Sequence, residues 1–212
     1  MWVLYVLIAL NVIMSYRGFQ DRLFFHQYLF HVGSIRAGDQ VRMFSSAFLH
    51  ADIPHLAFNM IALYSFAPVV VLKFGTLTFL LIYVASLVFG NMLSLYMHRD
   101  HPSYTAVGAS GAVSGIMYAS ILIEPEGGIY LFFIPLAIPA YLFGFGYLLF
   151  TIYGMRAKSD NIGHDAHFGG AIGGLAFTLM KAPELFLLNP LLVIGLLVPI
   201  AIMFVLLRMG KL

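Results

Sequence analysis

Apolar residues fill most of the chain in long runs, and the polar positions between them gather in short clusters. Runs of membrane length cover residues 2–16, 54–72, 76–97, 108–123, 129–153, 166–182 and 189–208. They predict an all-α polytopic membrane protein with seven spans. The first run is short, about 15 residues against the roughly 17–25 that usually cross a bilayer. The fifth contains Pro135 and Pro139, so its opening residues are expected to be extended or re-entrant. The N-terminus lacks the basic region and small-residue cleavage site of a removable signal peptide, and the first run is expected to stay in the mature protein.

The longest polar stretch, residues 17–53, mixes Phe24, Phe25, Tyr28, Leu29 and Phe30 with Arg17, Arg22, Arg36 and Arg42. That mixture is expected to lie at the headgroup level of the membrane. A loop of this length is more often functional than idle.

Composition agrees with the pattern. Of 212 residues, 61% are hydrophobic and 9% charged, where a soluble domain carries roughly 25% charged residues. Lipid is therefore the solvent for most of the chain. The net charge of +2 is too small and scattered for a nucleic-acid partner. With no cysteine, disulfides, thiolate catalysis and cysteine-ligated metals are excluded.

Polar groups inside or at the mouths of apolar spans each cost a few kcal/mol unless partnered, so those present need a reason. Three groups stand out. His50, His55 and Asn59 open the second run, where Pro54 suits a first helical turn and places His55 and Asn59 on one face. Gly108-Ala109-Ser110-Gly111 opens the fourth, followed by Ser114 and Gly115. His164-Asp165-Ala166-His167 opens the sixth, followed by Gly170 and Gly174. In a chain that crosses at every span, the second, fourth and sixth all begin on one side of the membrane. The bland alternative is that the histidines and Asn59 are helix caps and the glycines close-packing devices. Packing alone leaves unexplained a serine flanked by glycines, histidines and an amide converging at one membrane face.

A serine becomes a nucleophile when a base takes its proton and donors await the oxyanion. Ser110, at a helix start with backbone N–H groups around it, is the preferred nucleophile. Ser114 lies a turn deeper, where water is scarcer. His167 is the preferred base, because Gly170 and Gly174 beneath it let the fourth and sixth spans approach. His50 and Asn59 are candidate oxyanion donors. Asp165 points elsewhere on its helix and Asp52 sits at the mouth of the second span, so a Ser–His dyad is the economical assignment.

These residues resemble the rhomboid intramembrane serine proteases: His50-x4-His55-x3-Asn59, Gly108-x-Ser110-Gly111 and His167-x2-Gly170-x3-Gly174, in that order on alternate spans. The resemblance implies a six-helix catalytic core over residues 1–182, with 17–53 as a membrane-dipping loop and 189–208 as an added seventh helix. It implies Ser110 as nucleophile, His167 as general base, and His50, Asn59 and the Ser110 backbone N–H as the oxyanion hole. His55, Gly108, Gly111, Gly170 and Gly174 support them. The implied reaction is hydrolysis of peptide bonds in or near transmembrane segments of membrane-protein substrates, without metal or organic cofactor. The implied setting is a bacterial plasma membrane, with the site opening to the extracytoplasmic side.

Three features depart from the family pattern. A common Trp-Arg pair is Val41-Arg42 here, and an aromatic ring that often supports the base four residues after the serine is replaced by Ser114. Basic residues also crowd the catalytic side, with only Lys73 and Lys181 opposite, which by the positive-inside rule favours a cytoplasmic site. Two rival functions are a membrane metalloenzyme using His50, His55, His164 and His167, and an inactive relative that binds membrane helices.

Overall fold

A computed structural model describes residues 1–130, 137–157 and 161–212. Helix α1, Trp2–Gln20, has 19 residues, about 28 Å of rise and enough to cross the hydrocarbon layer. The first span is therefore longer than its apolar run. It continues through Arg17, whose guanidinium lies 4.3 Å from the centre of the Phe24 ring. Asp21 ends it in extended backbone, and its carboxylate caps α2, Arg22–Tyr28, by accepting the Phe24 N–H at 3.0 Å. Leu7, Asn11, Ser15 and Gly18 form the buried face of α1.

The first loop is folded into short elements: α2, β1 (Phe30–His31), α3 (Val32–Arg36), α4 (Arg42–Ser45) and a 3-10 turn, Ser46–Phe48. Phe24, Leu29 and Phe30 are buried in the protein, while Leu23, Val41 and Phe44 are exposed. These short elements bury their apolar faces against partners such as Met14 of α1 and Leu95. Arg42 secures the loop, donating to Asp39 Oδ2 at 2.7 Å and to the carbonyls of His26 and Leu29 at 2.8 and 3.0 Å.

Helix α5, Ile53–Met97, is one 45-residue element bent at Gly75, where φ is 79° and ψ is 170°. A straight helix of that length would be about 67 Å long. Instead Asn91 Nδ2 reaches back to donate to Met43 O at 2.6 Å, so residues 53–74 and 76–97 are two limbs that fold back on each other. They correspond to the second and third predicted spans. Asp52 caps the first limb by accepting the His55 N–H at 2.7 Å, with Pro54 in the first turn.

Helix α6, Ser110–Ile123, is buried without interruption from Gly111 to Leu122, the pattern of a helix enclosed by others. β2, Thr105–Ala106, pairs antiparallel with β1 and binds the approach to α6 onto the first loop. The fifth predicted span opens differently from its apolar run. Strands β3, Gly128–Tyr130, and β4, Ala137–Pro139, pair antiparallel, and α7 runs only from Ala140 to Ala157. The extended opening expected around the prolines is thus seen at Pro139; Pro135 lies outside the described residues. Helices α8, His164–Lys181, α9, Glu184–Leu188, and α10, Pro190–Arg208, complete the chain. The buried face of α10, with Val193, Leu196 and Met203, packs with Leu148, Ile152 and Met155 of α7.

The protein is an all-α polytopic membrane protein. Among the described residues, α1, α5 and α10 are long and apolar enough by themselves to cross a bilayer. Its centre is built by glycines. A Cβ on Gly170 of α8 would land on the Gly111 carbonyl of α6, one on Gly174 on the Gly115 carbonyl, and one on Gly90 2.7 Å from Ala166 O. The second limb of α5, α6 and α8 therefore touch backbone to backbone.

Candidate active site

The chain reaches Ser110 through Gly108, whose φ of 126° suits glycine and few other residues. A Cβ there would sit 2.8 Å from the His55 ring and 3.7 Å from Ser110 Oγ. Gly108, His55 and Ser110 are therefore packed together. The Gly108 N–H donates to Ser46 O at 3.0 Å, tying this turn to the first loop. The first bond back along α6 is Val113 N–H to Ala109 O, at 2.9 Å. The N–H groups of Ser110, Gly111 and Ala112 thus have no partner within the helix and emerge at its N-terminal end.

His167 stands in the first turn of α8, its N–H bonded to Gly163 O at 3.0 Å. The residue after Ser110 abuts the residue before His167: a Cβ on Gly111 would be 3.1 Å from Ala166 O. Together with the Gly111–Gly170 contact, this brings the two helix starts side by side. Both Ser110 and His167 remain partly accessible.

His50 is fully buried and links the first span to the serine turn. Ser15 Oγ donates to Phe48 O at 3.0 Å and lies 2.9 Å from His50 Nδ1, while the Ala109 N–H points at His50 Nε2 from 3.5 Å. Ser15 has one proton and the carbonyl can only accept, so the arrangement puts the imidazole proton on Nδ1, donating to Ser15. Nε2 is then an acceptor. Burial, with the adjacent His55 ring adding to it, lowers the His50 pKa to about 3 and keeps the ring neutral. In this tautomer Nε2 faces the Ala109 N–H, next to Ser110, as an acceptor. Asn59, also buried, donates one amide proton to His55 O at 3.0 Å and carries a second N–H.

Neither aspartate completes a triad. Asp165 Oδ2 lies 3.3 Å from His98 Nε2, and Asp52 serves as the cap of α5. The group on the imidazole is one that sequence reasoning missed: Tyr147 Oη is 2.9 Å from His167 Nδ1, and 3.5 Å from Ser114 Oγ. The small Ser114 leaves room for a ring arriving from α7. A hydroxyl in the middle of an apolar span was the available signal. His164, the alternative base, is buried with its ring 5.1 Å from that of Phe150 and against Gly154. Among the described residues, no three His, Asp or Glu side chains gather as a metal-ligand set.

Comparison with known proteins identifies the family. A profile of the Rhomboid domain matches residues 37–184, which contain every expected site residue. The chain is 32% identical over 177 residues to RHOMBOID-like protein 12, mitochondrial, of Arabidopsis thaliana, covering 76% of this chain and 52% of that protein. It is 33% identical over 144 residues to the rhomboid protease GluP of Bacillus subtilis, covering 66% and 26%. It is 27% identical over 141 residues to Rhomboid protein 1, mitochondrial, of Saccharomyces cerevisiae, covering 65% and 41%. The chain spans about half the length of the first of these and less of the others. Mitochondrial proteins stand beside a bacterial one, so these relatives do not narrow the membrane to the bacterial plasma membrane expected above. With the domain match over most of its length and the three motifs meeting at one end of its helices, the chain belongs to the rhomboid family.

Proposed function

We propose that this protein is a serine endopeptidase that hydrolyses peptide bonds in or near the transmembrane segments of other membrane proteins. Ser110 Oγ attacks the substrate carbonyl as His167 Nε2 takes its proton. The N–H groups at the start of α6 and the second amide proton of Asn59 receive the oxyanion. His167 then returns its proton to the departing amine, leaving an acyl-enzyme on Ser110 that water hydrolyses by the same steps in reverse order. His50 contributes by holding Ala109, and becomes a further donor only with its proton on Nε2.

The observation that supports this reading is the backbone contact between Gly111 and the Ala166–Gly170 turn, the neighbours in sequence of Ser110 and His167. A helix contact of this kind would serve packing alone. A serine at one helix start and a histidine at the other add the means for acyl transfer. The N-terminal end of α6 faces the first loop, and we place that face on the extracytoplasmic side.

The test is cleavage of a single-span membrane substrate by purified protein in liposomes, with labelling by a fluorophosphonate. Ser110→Ala and His167→Ala should abolish both, and Ser114→Ala should keep both. Labelling that persists in Ser110→Ala would overturn the assignment.

A further inference from the structure

If His167 Nε2 is to accept the Ser110 proton, the imidazole's own proton has to sit on Nδ1, and a neutral ring left to itself shares that proton between its nitrogens. Serine hydrolases commonly settle the matter with a carboxylate on the far nitrogen. Here the nearest aspartate in sequence, Asp165, is turned to His98 at 3.3 Å. What meets Nδ1 is the hydroxyl of Tyr147, 2.9 Å away, on a ring inclined 19° to the imidazole with centres 6.1 Å apart.

We propose that Tyr147 is the positioning residue that holds His167 in its Nδ1–H tautomer, a neutral phenol standing where a triad would place a carboxylate. The inference rests on the Ser110–His167 reading above. Tyr147 Oη accepts the Nδ1–H, and Ser114 Oγ, 3.5 Å distant, is at most a weak partner of the phenol. When Ser110 gives its proton to Nε2, the ring becomes an imidazolium and the bond from Nδ1 to Oη becomes charge-assisted. The contact thus strengthens in the transition state, where it raises turnover without tightening substrate binding. It also explains how a serine is accommodated four residues after Ser110. A bulky ring at Ser114 would occupy the space into which the Tyr147 hydroxyl projects.

Three variants and one spectrum test this. Tyr147→Phe keeps the ring and removes the acceptor, and should lower kcat about 10- to 100-fold with KM unchanged, the range for a hydrogen bond to a charged group. Tyr147→Leu should be at least as impaired. Ser114→Ala, which leaves the Tyr147–His167 bond in place, should stay near wild-type. Nitrogen-15 spectra of histidine-labelled wild-type protein, assigned with His167→Gln, should show the His167 proton on Nδ1. A Tyr147→Phe protein with full kcat, including one where only Tyr147→Leu is impaired, would overturn the proposal. So would a wild-type His167 protonated on Nε2, a readout independent of how the variants fold. Wild-type protein that cleaves nothing would instead count against the protease reading, and the tautomer measurement would still stand.

Discussion

Gly170 of α8 lies flat on the peptide carbonyl of Gly111 in α6, with no space between them for a methyl group. Sequence spacing marks both glycines as packing devices, and the contact explains what the packing achieves: it brings the residue next to Ser110 against the turn that carries His167.

Gly170→Ala should therefore push the two helices apart. Overpacking of this kind costs about 1–3 kcal/mol, and a backbone carbonyl yields less readily than a side-chain tip. The expected result is a lower midpoint in detergent unfolding and loss of fluorophosphonate labelling. Gly195→Ala, where a Cβ meets open space on α10, should leave both unchanged.

Gly108→Ala should act on the serine more than on the fold. The new Cβ would meet the His55 ring at 2.8 Å in a backbone conformation with φ of 126° that side chains rarely adopt, so the His55 ring and the backbone leading into Ser110 would both have to shift. Labelling should fall more than tenfold while the unfolding midpoint shifts modestly. Wild-type labelling of this variant would show that the turn does not position Ser110.

Asn59 and His50 should separate experimentally. Asn59→Ala removes the side-chain donor and should reduce turnover about 10²- to 10³-fold with the fold intact. His50→Ala should weaken both folding and turnover, because it removes the link between Ser15 and Ala109. Equal effects on kcat without any loss of stability would restore His50 to the donor role.

The pKa of His50 fixes the direction of a pH effect. Its folded value of about 3 lies below the ordinary 6.5, so the unfolded chain binds a proton here that the folded protein refuses. Stability from this group is complete above about pH 6.5 and is lost as pH falls from there toward 3. Thermal midpoints between pH 7.5 and 4.5 should decline, and His50→Asn should flatten the decline.

The absence of cysteine makes orientation directly measurable. Asp100→Cys lies on the face of the Ser110 turn, and Lys73→Cys at the bend of α5 opposite; both positions are exposed. With the proposed orientation, an impermeant maleimide should label position 100 from the extracytoplasmic side and spare position 73. The reverse pattern would mean that the basic residues around the first loop obey the positive-inside rule.

Much of this protein is legible in one dimension because a membrane leaves few options. Apolar runs of bilayer length have to become helices to satisfy their own backbone, so the positions of the spans follow closely from hydropathy. Boundaries were harder. Helix α1 outlasts its apolar run because Phe24 receives the Arg17 guanidinium, and α7 begins after the run does because β4 continues through Pro139. The three motifs were equally visible, since a polar group in an apolar span has to be partnered or used.

What local pattern left open was settled by contacts between residues far apart in the chain. Hydropathy located the spans, and spacing singled out Ser110, His167, His50 and Asn59, because both depend only on neighbours along a helix. The tautomer of His50 depends on Ser15, 35 residues away, and the hydroxyl on His167 comes from Tyr147, 20 residues away. A proton's position on an imidazole is decided by whatever oxygen or nitrogen reaches the ring in space. In this protein those atoms arrive from the first span and from α7, brought there by helix packing that no local spacing encodes.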